Sequence, residues 1–274
     1  MRRPVWVAAN ALILLFLPLP LLIVAAISIS PDRFLAFPPT GFTLTWYEQF
    51  FASAEWMRAF GISVLIAVGA AVVSTTAAVM AALALERSGG RVRGVADLLI
   101  LLPLIFPHAA IGVAIFGFIS STYFLSGTYF GIAVSHTILC VPFAYRPVAA
   151  AFSKLDRSLA EAAMNLGARE GEILRRITLP MLRPGIVSAL LFTFIISFDE
   201  ITVTMFLVGP NITTLPFQIY SRLEQNADPV VAAVSTLLVL LTLGLVLILQ
   251  RTVGLDLFVS MEAEETPTVR KSDA

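Results

Sequence analysis

The chain reads as an all-α polytopic membrane protein with six transmembrane helices and both termini cytoplasmic. Three observations lead there. Hydrophobic residues make up 58% of the sequence and charged residues only 13%, about half the share of a typical soluble domain, so a water-exposed surface could not be covered with polar groups. The apolar residues collect into six runs long enough to cross about 30 Å of hydrocarbon at helical rise. The basic residues gather in the segments on one side of those runs.

The first run spans about Val5 to Ile29. Met1-Arg2-Arg3 is also how a cleavable signal peptide begins, but the length of the run and its Pro18 and Pro20 favour a retained helix. Residues 30–58 are polar and Pro-rich, with Trp46, Tyr47, Phe50, Phe51 and Trp56 suited to a membrane–water interface. The second run covers Ala59 to Leu85 and ends in ERSGGRVRG. The third covers Val95 to Ile119, with kinks expected at Pro103 and Pro107. The fourth runs from Tyr129 to Phe152, the fifth from Gly185 to Val208, and the sixth from Val230 to Gln250. We therefore divide the chain into a first helix with its outer segment (1–58), a transmembrane domain (59–255) carrying a charged loop (153–184), and a solvated acidic tail (256–274).

With the N-terminus inside, all of the 18 basic residues except Arg33, Arg58 and Arg222 fall in inner segments. Excess Lys and Arg mark the cytoplasmic side, so loop 153–184 is expected there. Net charge is zero, which gives no field for nucleic acid. One cysteine and two histidines exclude a disulfide framework, a Cys-rich metal site and a three-His zinc site. No G-x-x-x-x-G-K-[ST] phosphate cradle, H-E-x-x-H or nucleophile elbow occurs, so no cofactor and no catalytic residue are assigned. A membrane enzyme has no visible machinery here.

Within the loop, Leu155, Leu159, Ala162, Ala163 and Leu166 recur on one helical face. Asp156 stands where a side chain can cap free amides, and Gly167 where a helix ends in a left-handed residue. A second short helix fits Arg169 to Thr178, its acids first and bases last as the helix dipole favours, with Pro180 expected to stop it. Taken alone, this is equally the pattern of a loop that packs on its own helices.

The spacing says more. Glu161-Ala162-Ala163, three residues, Gly167, nine residues, then Ile177-x-Leu179-Pro180 matches without a gap the signature loop of ABC-importer permeases. Over roughly residues 40–255 the chain resembles the membrane subunit of a type I ABC importer. That resemblance implies the type I permease fold in a bacterial inner membrane. It also implies separate ABC ATPase subunits, a second permease forming a heterodimer, and a periplasmic solute-binding protein. Glu161, Ala162, Ala163 and Gly167 would be ATPase-coupling positions, with Leu179 and Pro180 closing the motif.

The fifth run contains Asp199 and Glu200, about 14 residues or roughly 21 Å from its inner start. Ionisable groups at membrane depth usually face a cavity or a partner. Read as a continuous helix, Thr193, Ser197, Glu200 and Thr204 share a face and Asp199 lies about 100° away, so Glu200 is expected to point into a polar path and Asp199 to flank it. The alternative is a structural pair satisfied by a base or hydroxyl on a partner subunit.

Two acids on the outer part of a path favour a cationic solute, drawn inward by the membrane potential. ISFDEITVTMFLVGP, LPFQIYS and DPVVAAVSTLLVLL look like the spermidine/putrescine subgroup, on the second-permease side. That subgroup often carries an acid after the proline of the third run, and here Pro107 is followed by His108. The expected solute is therefore a polyamine or similar cation, with an amino-acid derivative or aminophosphonate as alternative. A stand-alone secondary transporter is the rival mechanism.

Overall fold

The computed structural model describes residues 2–86, 88–121, 125, 127–209, 212–226 and 228–253. The expected acidic tail, 256–274, lies outside them. Among the described residues the fold is all α-helical. Five helices are long and apolar enough to cross a membrane, and a sixth span is formed if one sharply bent pair counts as one.

The backbone falls into two compact units. One takes the chain up to Ser63 together with 210 to Gly244, and the other takes Val64–Gly209 together with the chain from Leu245 on.

In the first unit, α1 (Arg2–Phe16) and α2 (Leu19–Ser28) replace the single expected helix. Pro18 breaks it, because proline removes a helical donor and crowds the preceding turn. Leu12, Leu14, Leu15, Phe16 and Leu22 are all at least 60% exposed, an apolar surface with no cover from its own chain. The proline-rich segment folds back on α2: the Thr43 amide donates to Ile29 O at 2.8 Å and Trp46 Nε1–H to Ser30 O at 2.7 Å. A short helix, α3 (Thr45–Ala52), sits where no helix was expected and buries Phe50 against Trp56.

In the second unit, α4 (Ala54–Glu86), α7 (Tyr129–Ser153) and α10 (Leu179–Phe198) pack through small residues. Ala78 and Ala82 of α4, Ala144 and Val148 of α7, and Ala189 of α10 form one buried cluster. Small side chains let backbones approach in lipid, where no hydrophobic drive separates helix from solvent. Gly185 marks the tightest point: a Cβ there would stand 2.8 Å from Pro147 O and 2.5 Å from Ala151 Cβ. Ser74 Oγ adds a hydrogen bond to Thr137 O at 3.0 Å.

The third expected span is sharply broken. α5 (Gly90–Leu101) and its 3-10 extension Leu102–Leu104 meet α6 (His108–Ser120) at 98°. Pro107 holds extended dihedrals ahead of α6, and proline pushes its predecessor away from helical geometry. Pro142 and Pro147, by contrast, lie inside α7 without ending it.

Two expectations about the fifth span are corrected. Pro180 does not stop the preceding helix: α9 (Glu170–Ile173), a π-helical stretch Leu174–Thr178 and α10 form one run from Glu170 to Phe198. The Leu179 amide reaches Leu174 O across the wide turn. One extra residue per turn absorbs the proline that a regular helix would reject. At the other end, α10 stops at Phe198 rather than continuing to Val208; residues 199–203 are not regular helix, and α11 (Thr204–Leu207) follows as a separate turn. Beyond lie α12 (Leu215–Asn226) and α13 (Pro229–Val253).

Candidate functional site

The charged loop folds as a helix–turn–helix. Its first helix, α8 (Arg157–Asn165), is capped by Asp156, whose Oδ1 accepts from the Ser158 amide at 2.9 Å. That bond, with the Ser158 side chain, holds the Asp156 carboxyl below the usual carboxylate range. α8 ends at Gly167 with φ +86°, where the Ala168 amide donates to Ala163 O at 3.0 Å and the Gly167 amide to Met164 O at 2.9 Å. This is the paired-bond helix stop that requires a left-handed residue. The second arm begins with the Arg169 amide donating to Glu172 Oε2 at 3.2 Å.

The structure places Glu161, Ala162 and Gly167 on the exposed side of this unit and Ala163 half-buried. Leu159 is 46% and Leu166 89% exposed, so much of the apolar stripe is uncovered. Leu179 and Pro180 are half-buried at the foot of α10, apart from that surface. A groove of about 730 Å³ runs beneath α8, lined by Glu161 and Met164 from α8 and by Ile177, Thr178 and Met181 across from it.

The second cluster forms where the broken helices meet. Asp199 closes α10, its amide donating to Ile195 O at 3.1 Å, and its side chain is exposed. It lies 20 positions past Leu179, about 30 Å along the helix, farther out than the sequence suggested. Glu200 is buried. One carboxylate oxygen accepts from the Val203 amide at 2.8 Å, and the other lies 3.3 Å from His108 Nδ1. Gly112, one turn along α6 from His108, admits the same segment: a Cβ there would meet the Phe206 ring at 2.7 Å and Val203 Cα at 3.2 Å.

The helical wheel behind the expected roles of the two acids does not hold, because the helix ends before them. Glu200 was expected to face the path and Asp199 to flank it, but the wheel argument assumed a helix through residue 200. With α10 ended at Phe198, Glu200 turns inward to His108 and Asp199 is left open. Ser197, Glu200 and Thr204 still come together, through His136 of α7, whose ring nitrogens lie 2.8 Å from Ser197 Oγ and 2.8 Å from Thr204 Oγ1. Sequence reasoning passed over His136. A histidine eight positions into an apolar run was the available signal.

Such a fold and site define a multi-pass α-helical transport subunit, with a water-facing loop at one end and a polar break some 30 Å away. Residues 74–254 match the family described as binding-protein-dependent transport system inner membrane component, and the chain belongs to that family, as a permease of a type I ABC importer. It is similar to the spermidine/putrescine transport system permease protein PotC of Haemophilus influenzae, 29% identical over 86% of this chain and 91% of that one. It is 30% identical to the putrescine transport system permease protein PotI of Escherichia coli K12, over 81% of each. A putative 2-aminoethylphosphonate transport system permease protein, PhnV of Salmonella typhimurium, is 30% identical over 91% of this chain and 94% of that one. Among solved structures, a bacterial ABC transporter that imports the acidic polysaccharide alginate shares the fold, with a TM-score of 0.68 at 19% identity over 90% of this chain and 96% of that one. The chain is a transport subunit and not an enzyme.

Proposed function

We propose that this chain lets a small ammonium-bearing solute cross the bacterial inner membrane, with spermidine and putrescine the first candidates. The observation that carries the reading is the exposed Asp199 at the end of α10, beside a buried Glu200 whose carboxylate oxygens meet the Val203 amide and His108. A carboxylate at membrane depth favours a cation over an anion. Relatives named for polyamine transport support the same solute class.

The uncovered face of α8 would seat a separate ABC ATPase on the cytoplasmic side. A different second permease would complete the path, and a periplasmic solute-binding protein would deliver the solute. In this reading Glu161, Ala162, Ala163 and Gly167 receive the motion of the ATPase, Leu179 and Pro180 pass it into α10, and Asp199, Glu200, Ser197, Thr204 and His108 form the path lining.

A second reading rests on His108. It is 38% exposed beside the acids, and its imidazole can donate a hydrogen bond to a solute that carries an anion as well as an ammonium. An aminophosphonate has that chemistry, and one relative is named for such a solute.

The test is uptake in proteoliposomes holding the whole transporter, with labelled putrescine and labelled 2-aminoethylphosphonate compared. ATP-dependent putrescine uptake that falls at least tenfold with Asp199→Asn plus Glu200→Gln supports the first reading. Uptake of the aminophosphonate alone supports the second. Uptake that persists without the ATPase subunit overturns both in favour of a stand-alone carrier.

A further inference from the structure

The break that presents the acid pair is closed by a chain of hydrogen bonds through His136. Thr204 Oγ1 donates to Glu200 O at 2.9 Å. The same hydroxyl lies 2.8 Å from His136 Nε2, and Ser197 Oγ lies 2.8 Å from His136 Nδ1. The ring is 1% exposed in the middle of α7.

The chain thus runs Ser197 to His136 to Thr204 to the Glu200 carbonyl. It starts on the last turn of α10 and ends on α11, so an imidazole from α7 bridges the non-helical residues between them. Those residues have lost helical partners, and unsatisfied backbone groups in a membrane are expensive. Glu200 Oε1 takes the Val203 amide and the Thr204 hydroxyl takes the Glu200 carbonyl, which fixes the turn. His136 fixes where that turn sits relative to α10.

We propose that His136 is a positioning residue for the acid pair: its two ring nitrogens tie α11 to the end of α10 and set the direction in which Asp199 projects. Both ring nitrogens are engaged, one on each side of the break, so the ring links the end of α10 to α11. The proposal rests on the reading of Asp199 as the open carboxylate of the path.

The test separates geometry from transport. Asp199→Cys is introduced into the assembled transporter, and the rate at which the new thiol is modified by a cationic methanethiosulfonate reagent is measured. Buried Cys140 is the native thiol, and the parent chain supplies the background. Adding His136→Leu is expected to change the rate at the introduced thiol at least fivefold. His136→Gln, which offers one donor and one acceptor, is expected to keep that rate within twofold of the value without it. Thr204→Val removes the second link at nearly constant volume and is expected to behave like the leucine variant, so it decides the matter if His136→Leu does not assemble. An unchanged rate in both disrupting variants overturns the proposal, as does an equal change in the leucine and glutamine variants. Failure of putrescine uptake in the parent transporter would sink the polyamine reading and leave the labelling result standing.

Discussion

His108 Nδ1 stands 3.3 Å from Glu200 Oε2, so the residue that opens α6 after the 98° bend meets the residue that follows the end of α10. With the Val203 amide on its other oxygen, Glu200 has both carboxylate oxygens engaged within the chain. Asp199 is exposed and shows no such pairing among the described residues.

That asymmetry predicts unequal effects of neutralising the two acids. Asp199→Asn should raise the KM for putrescine by about tenfold, the order of one lost ionic contact, roughly 1.4 kcal/mol. Glu200→Gln keeps an acceptor for the Val203 amide and loses the pairing with His108, so it should act mainly on the thermal midpoint of the purified protein. Paired uptake kinetics and thermal unfolding of the two variants check the ordering.

Gly167 offers a second prediction. A Cβ there would meet nothing within 4 Å, so what a substitution costs is conformational, set by φ +86°. Placing an L-residue in the left-handed region costs about 1–2 kcal/mol, with Asn penalised least. Gly167→Asn should keep ATPase co-purification near the parent level, Gly167→Ala should weaken it, and Gly167→Val should weaken it most. Membrane insertion should be unchanged in all three, as judged by yield in the membrane fraction.

Gly185 should show the opposite cause, namely space. Its Cβ would collide with Pro147 O and Ala151, and overpacking a tight contact costs about 1–3 kcal/mol. Gly185→Ala should lower the thermal midpoint of the detergent-solubilised protein. Gly171→Ala, where a Cβ meets nothing, is the matched control and should leave the midpoint unchanged or raise it.

The Asp156 cap should fail in acid. Its folded-state carboxyl titrates below the ordinary carboxylate range because the Ser158 amide favours the charged form. The cap's contribution is therefore complete above that ordinary range and fades as pH falls through the folded-state value. Hydrogen exchange at the Ser158 amide should accelerate at low pH, beyond the intrinsic exchange trend. In Asp156→Asn, which keeps an acceptor without a charge, the extra acceleration should vanish.

The loop was legible because its signals are local. Asp156 as a cap and Gly167 as a left-handed stop depend on the neighbouring few residues, and both appear as the spacing indicated. The apolar runs were legible too, since length and composition decide them. What escaped depends on several elements at once. Nothing near Phe198 marks the end of α10; the break there is held by His108, His136 and Gly112, which come from α6 and α7. Pro180 reads as a stop in any local rule, yet the wide turn at Leu174–Thr178 carries the helix past it. A wheel drawn through Phe198 put Ser197, Glu200 and Thr204 on one helical face, whereas Ser197 and Thr204 meet around His136 and Glu200 is the buried acid.

The uninterrupted run from Glu170 to Phe198 has a mechanical meaning. Its 29 residues make a rod of about 43 Å, with the charged loop at one end and Asp199 at the other. A rod that long needs no relay of side chains between its ends: a tilt of about 5° moves the far tip by roughly 4 Å, about one residue's length of chain. The wide turn lies beside the loop, at one end of that rod. Leverage, rather than a chain of contacts, would then connect an event in the cytoplasm to the aperture on the opposite side.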